Sequence, residues 1–160
     1  MRAWPEAVER VAAYLRETGA EVRLEEFPAG TPTAQAAAGA VGCRLDQIVK
    51  SVVFRCDGRP VVAMVPGDRR AVARKVAAAA SARRALVASP EEVEELTGFA
   101  PGAVCPFPLP KVDRVFLDRR LLAHDRVWVG AGSERHMAAL APGELVRLAR
   151  AVALDIASDD

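Results

Sequence analysis

Hydrophobic and polar positions alternate with two different periods along this chain. Trp4, Val8, Val11, Ala12 and Leu15 recur at helical spacing around Pro5, and Gly19 supplies a stop, which predicts an amphipathic opening helix. Val22 and Leu24 then alternate with charged neighbours before Phe27, the period of a short half-buried strand that ends at Pro28-Ala29-Gly30. Thr33 is placed to cap the alanine run that follows, giving a second helix that frays by Gly42. Ile48 to Arg55 and Pro60 to Val65 are β-rich, and the Asp57-Gly58 pair between them is a strong hairpin signal.

Beyond the hairpin the helical period returns. Pro66-Gly67-Asp68 turns the chain, with Asp68 placed to cap a helix through Val72 and Val76. Ser89-Pro90-Glu91-Glu92 combines a cap, a first-turn proline and a glutamate three residues after the cap, and Gly98 ends the helix. Phe99 to Lys111 holds four prolines and one glycine, which excludes a regular element, while Val104, Phe107 and Leu109 predict a loop packed on the body. Val115 to Leu117 and Arg126 to Val129 predict further strands, followed by Gly130-Ala131-Gly132-Ser133, a final helix carrying Leu145, Leu148 and Val152, and a tail frayed from Ser158. Strands and helices are interspersed without a βαβ repeat. That predicts an α+β fold with a mixed, partly closed, barrel-like sheet and peripheral helices rather than a doubly wound fold.

Composition narrows the setting. At 160 residues, 51% hydrophobic and 27% charged, the chain is long enough to bury a core without disulfides, so residues 1–160 are expected to form one globular domain. Its 22 Lys+Arg against 21 Asp+Glu leave no global positive field, and any RNA contact must be local. Cys43, Cys56 and Cys105 are odd in number and widely spaced, which argues against a disulfide framework or a zinc knuckle and points to a reducing compartment. Charges at Arg2, Glu6, Glu9 and Arg10 stand where a signal peptide would be apolar, and no stretch approaches ~20 uninterrupted apolar residues. A cytoplasmic protein with no membrane partner is the expectation.

Candidate chemistry is sparse. The chain lacks G-x-S-x-G and G-x-x-x-x-G-K-[ST], and its histidines are His124 and His136 alone. Too few ligands are spaced for zinc, so no metal and no cofactor are expected, and each histidine is read as a surface or locally bonded residue. Lys50 shares one strand face with Ile48, Val52 and Phe54; it is either a snorkelling edge lysine or an ammonium that awaits an anion. Pro101-Gly102-Ala103-Val104-Cys105-Pro106 is either a rigid connection or a rack of backbone N–H groups able to hold an oxyanion. Arg69, Arg70, Arg74, Lys75, Arg83 and Arg84 form the local basic concentration, a solvated helix face or an RNA-backbone patch.

Taken in order, Thr33-Ala34-x-x-Ala37-Ala38, Gln47-Ile48-Val49-Lys50-Ser51-Val52-Val53-Phe54, Val65-Pro66-Gly67-Asp68, Thr97-Gly98-Phe99 with Gly102 and Pro106, and Gly130-Ala131-Gly132-Ser133 resemble the YbaK-type editing family related to the prolyl-tRNA synthetase insertion domain. The resemblance runs from about Thr33 to the last helix. It implies deacylation in trans of tRNA carrying a noncognate amino acid, usually on prolyl-tRNA. Lys50 matches the family's functional lysine and Gly102 its substrate-binding loop glycine. Thr33, Ser51, Ala103, Gly130, Gly132 and Ser133 fall at substrate-binding positions around them. The implied partner is the 3′ acceptor end of aminoacyl-tRNA, with prolyl-tRNA synthetase as a second. Lys50 would hold the terminal adenylate phosphate while amides near Gly102 polarise the ester, with the substrate assisting and no metal involved. The alternative on the same residues is a noncatalytic module that binds aminoacyl-tRNA or the synthetase. The amino acid removed stays open among cysteine, alanine, serine and threonine, as does the oligomeric state.

Overall fold

The chain enters as α1, Glu6–Thr18, which turns Val8, Val11, Ala12 and Leu15 inward and stops where Gly19 takes the left-handed conformation that glycine adopts at least cost. The computed structural model describes residues 4–159, so Arg2 lies outside the described residues. Next come β1, Arg23–Glu26, and α2, Ala34–Val41, whose cap is Thr33: its hydroxyl accepts the Ala36 N–H at 3.0 Å. The strands β2, Val49–Cys56, and β3, Arg59–Pro66, are joined by Asp57 and Gly58 at φ 50° and 84°, the two positive values that a type I′ turn requires. After α3, Ala73–Ala79, and the short β4, Ala85–Val87, the helix α4, Pro90–Thr97, starts on the full Ser89–Glu92 capping box. Residues 99–111 form no regular element, and β5, Arg114–Asp118, β6, Val127–Ser133, β7, His136–Leu140, α5, Pro142–Ala149, and β8, Val152–Leu154, complete the order.

These strands make two sheets. One is antiparallel in the order β1-β7-β6; the other runs β4-β2-β3-β5-β8, with β5 parallel to β3 and β8 parallel to β5. A parallel bridge from Ile48 to Trp128 joins them where β2 begins. The architecture is therefore α+β, mixed and only partly closed. Side chains alternate across the five-stranded sheet as a pleat demands: Val49, Val53, Val62, Met64 and Leu117 enter the large core shared with β6, β7, α1, α4 and α5. Phe54, Val61, Ala63, Val65 and Phe116 pack on the other face against Val76 and Ala80.

Three expectations are corrected. Asp68 does not cap α3, which starts at Ala73 behind Val72. The intervening backbone is captured by the C-terminal segment, because Arg70 and Ser158 exchange hydrogen bonds, Ala71 bridges Ala157 and Val72 N–H donates to the Ile156 carbonyl at 2.9 Å. For the same reason Ser158 is not frayed: it is buried. Val152 is not helical, since α5 ends at Arg150, whose φ of 53° sends the chain out as strand β8. The strand β7 escapes a periodicity reading because all five of its residues are buried and no alternation is left to see.

The C-terminal segment is held by a buried carboxylate. Asp118 is fully buried and accepts the N–H groups of Arg120, Ile156 and Ala157 at 3.0, 3.0 and 2.8 Å, with the Arg120 guanidinium at 3.2 Å. Removing it would strand two buried N–H donors and leave the Arg120 guanidinium only its partners Asp155 and Asp159. Asp118→Ala should cost about 3–5 kcal/mol in urea unfolding, while Asp159→Ala, at the exposed end of the Arg120 network, should stay within about 0.5 kcal/mol. Equal losses would show that the buried carboxylate is not the clasp.

Candidate functional site

The outer edge of β2 is covered by β4 only from Phe54 onward, because β4 has three residues. Before that point Val49, Lys50, Ser51 and Val52 form a wall of a cavity of about 310 Å³. Thr33, Ala34 and Ala37 stand on another side, at the start of α2. Gly102 and Val104 of the 99–111 loop, with Gly130, Ser133, His136 and Met137 of β6 and β7, close the rest. The cavity thus brings together Lys50, Gly102, Thr33, Ser51, Gly130 and Ser133. It leaves out Ala103 and Gly132, which line an adjoining groove shared with Ser133 and His136.

Lys50 is half-buried and makes no ion pair or hydrogen bond among the described residues. Burial holds its pKa below the usual lysine value; the Asp68 carboxylate partly offsets this and the Arg70 guanidinium adds to it. An ammonium in such a place is a ready receptor for an anion. Gly67, at the end of the same hairpin, lets the chain pass the α2–β2 connection: a Cβ there would lie 2.5 Å from the Leu45 carbonyl oxygen.

The loop reaches the cavity through contacts between backbones. A Cβ on Gly130 would lie 2.6 Å from the Val104 carbonyl oxygen, and one on Gly132 would lie 2.9 Å from the Ala7 carbonyl carbon in α1. The two glycines therefore let β6 be gripped between the loop and α1. The Gly132 N–H also donates to the Ala103 carbonyl at 3.2 Å, and the Ala103 N–H to Ala100 at 2.9 Å, so both polar groups of Ala103 are spent holding the loop. Gly102, at φ 83°, stands at the tip, and its N–H donates to no backbone carbonyl among the described residues.

Between Gly130 and Ser133 the ladder is bulged: Gly130 pairs with Met137 and Ser133 with His136, leaving Ala131 and Gly132 unmatched. Such a bulge re-aims side chains. It places Ser133 Oγ 2.6 Å from His136 Nδ1, while Ser133 Oγ accepts the Arg135 N–H at 2.9 Å. The expectation of a surface or locally bonded histidine holds in its second half alone. His136 is 2% exposed, lies edge-on to Trp4 with ring centroids 5.5 Å apart, and borders the cavity. The signal for it, a lone histidine within an apolar strand just after a glycine pair, has no periodicity to set it apart. Glu134 lies nearby, its Oε1 3.5 Å from where a Gly102 Cβ would stand. None of the three thiols lines the cavity, and burial raises the pKa of each, that of Cys105 most. Among the described residues no cluster of three or more His, Cys, Asp or Glu is placed to hold a metal ion, and no helix is long and apolar enough to cross a membrane.

Residues 28–148 match the family model of the aminoacyl-tRNA editing domain. Over 139 residues the chain is 31% identical to the uncharacterized protein YwhH of Bacillus subtilis, covering 87% of this chain and 88% of that one. It is 29% identical over 147 residues to the multifunctional Ser/Thr-tRNA deacylase ProXp-y of Escherichia coli, covering 89% and 87%. It is also 36% identical over 111 residues to the proline–tRNA ligase of Nitratidesulfovibrio vulgaris; the match takes in 69% of this chain but only 19% of that much longer enzyme. A crystal structure proposed to be a trans-editing enzyme for prolyl tRNA synthetase, 34% identical, superposes with a TM-score of 0.90 over 98% of this chain and 99% of that one.

The glycine contacts separate by experiment. Gly130→Ala must push the Val104 backbone away and should cost at least about 2 kcal/mol, whereas a Gly102→Ala methyl meets only the Glu134 Oε1 at an ordinary contact distance of 3.5 Å and carries its positive-φ strain of about 1 kcal/mol. Thermal melts of both variants check the order; Gly102→Ala being the worse of the two would refute the close approach.

Proposed function

Because this chain belongs to the aminoacyl-tRNA editing domain family, we propose that it is a single trans-acting cytoplasmic editing domain, a hydrolase that removes noncognate amino acids from tRNA(Pro). The observation that carries this reading is the ammonium of Lys50, with no ion pair or hydrogen bond among the described residues, in one cavity with Gly102, whose N–H donates to no backbone carbonyl among them. Lys50 takes the phosphate of the terminal adenylate. The Gly102 N–H polarises the ester carbonyl and receives the charge that builds on its oxygen. Water adds to the carbonyl carbon and the bond to the ribose oxygen breaks, freeing the amino acid and leaving a ribose hydroxyl on the tRNA.

Proton transfer is assisted by the substrate, through its vicinal ribose hydroxyl. No carboxylate or cysteine lines the cavity itself, Glu134 standing in the adjoining groove beyond Gly102, and His136 Nδ1 is engaged by Ser133. No metal enters this scheme. Two features support the choice of tRNA(Pro): the match to prolyl-tRNA ligases and the likeness to a structure proposed to serve that synthetase. Thr33, Ser51, Ser133 and Gly130 bound the space left for the aminoacyl group.

A deacylation panel over misacylated tRNA(Pro) species tests the function, with turnover of at least one as the expected result. Binding without turnover of any would instead identify a noncatalytic module. Lys50→Met should lower deacylation at least ~100-fold, since a hydrogen bond or ion pair to a charged group is lost in the reacting complex. It should not destabilise the fold. A folded-state lysine pKa below the unfolded one means that the unfolded chain holds the proton more tightly, so wild-type stability rises with pH through the folded pKa up to the ordinary lysine value. Lys50→Met should therefore melt at or above the wild-type temperature at neutral pH, with the gap narrowing as the solution becomes alkaline. Early melting would mark Lys50 as structural. Gly102→Ala, by misplacing one donor, should lose ~10²–10³ in single-turnover rate; a near-normal rate would reduce Gly102 to a turn residue.

A further inference from the structure

A separate groove of about 400 Å³ lies between α3 and the segment that leads into β4. Its floor is alanine, including Ala73, Ala77 and Ala82, and its rim carries Arg74, Arg83 and Arg84. The structure divides the basic residues of this region into two groups. Arg69 donates to the Ser158 carbonyl at 2.7 Å, and Lys75 pairs with Asp155 at 3.1 Å and donates to the Ala157 carbonyl at 2.9 Å, so both are used to hold the C-terminal segment. Arg70, Arg74, Arg83 and Arg84 are exposed, and their guanidiniums make no ion pair or hydrogen bond among the described residues.

These free cations stand on a fixed frame. Arg83 and Arg84 donate their backbone N–H groups to the Asp57 carboxylate at 2.9 and 3.1 Å, and the Arg84 carbonyl accepts the Asp57 N–H at 3.2 Å. Those two bonds lower the Asp57 pKa, so its charge stays engaged with the backbone at the hairpin tip. The row also leads to the cavity. Arg70 is close enough to Lys50 to lower its pKa, whereas Ala85 pairs with Cys56 at the far end of β2. From Lys50 to Cys56 is six residues of strand, ~20 Å at the ordinary rise of about 3.3 Å per residue.

We infer that this arginine row binds the phosphodiester backbone of the RNA whose 3′ end enters the cavity, an inference that rests on the deacylase reading above. Guanidiniums match phosphate oxygens with charge-assisted, bidentate hydrogen bonds. With a net charge of +1 the chain has no global field for RNA, and a local row of unpaired cations supplies what the whole lacks. The alanine floor lets a backbone approach closely and offers no bulky anchor of the kind that dominates protein interfaces.

The test is filter binding of uncharged tRNA(Pro) over a range of salt, with wild type, the triple variant Arg74→Ala/Arg83→Ala/Arg84→Ala, and a control triple at the exposed Arg16, Arg119 and Arg126. The groove variant should bind at least ~10-fold more weakly at about 0.1 M salt, and the slope of log affinity against log salt should fall by ~2–3, at about 0.7–0.9 for each phosphate no longer neutralised. It should hydrolyse an aminoacylated trinucleotide ending in adenosine at the wild-type rate, and the control should match wild type throughout. Arg84→Ala alone should lower the slope by about one, which keeps the inference testable if the triple variant melts early. A groove variant with wild-type affinity and slope would overturn the inference, as would loss of prolyl-tRNA synthetase binding with tRNA binding intact. A chain inert on every ester that still binds tRNA through these arginines would refute the deacylase reading and leave this one standing.

Discussion

The site depends on a contact between two backbones with nothing in between. The Val104 carbonyl lies so close over Gly130 that a methyl group there would stand 2.6 Å from its oxygen, and one on Gly132 would stand 2.9 Å from the Ala7 backbone in the first turn of α1. β6 is thereby clamped from both sides, which no residue with a side chain would allow. The clamp carries the loop tip at Gly102 over the cavity, and the bulge in the same stretch of β6 turns Ser133 and His136 toward that space. Loop and strand are distant in sequence, yet neither is correctly placed without the other.

Around this frame several cations tie distant segments together and several do not. Arg55 pairs with Glu92 of the α4 capping box, Arg120 and Lys75 share Asp155, and Arg69 holds the Ser158 carbonyl. Those cations fasten segments to one another. Lys50 and the guanidiniums of Arg70, Arg74, Arg83 and Arg84 fasten nothing among the described residues, although Lys50 bears a desolvation cost and the arginines add like charge to one face. What sets these cations apart is their placement, Lys50 in the wall of the cavity and Arg74, Arg83 and Arg84 along one groove.

The C-terminal segment shapes both regions from a distance. Asp118 draws in Ile156 and Ala157, and Ser158 and Ile156 in turn occupy the backbone between Arg70 and Val72. That capture delays the start of α3 until Ala73. It leaves Asp68 and Arg70 outside α3, within electrostatic reach of Lys50.

Much of this was legible in the residues. The Asp57-Gly58 hairpin, the Thr33 and Ser89 caps and the irregular 99–111 loop follow from local chemistry, because positive φ, capping oxygens and missing N–H groups are properties of single residues. So does the face that Lys50 shares with Val52 and Phe54, since a strand's pleat has a fixed period. The start of α3, the strand character of Val152 and the buried β7 were not legible, being decided by partners far along the chain: Ser158 for Arg70, β5 for β8, and neighbours on both sides of β7. The ordered motifs determined the family and the residues worth watching. Only the tertiary structure decided that Ala103 is spent on its own loop, that His136 belongs to the cavity, and which arginines remain free, because each of these depends on which distant backbone group takes up a hydrogen bond or leaves it unmade.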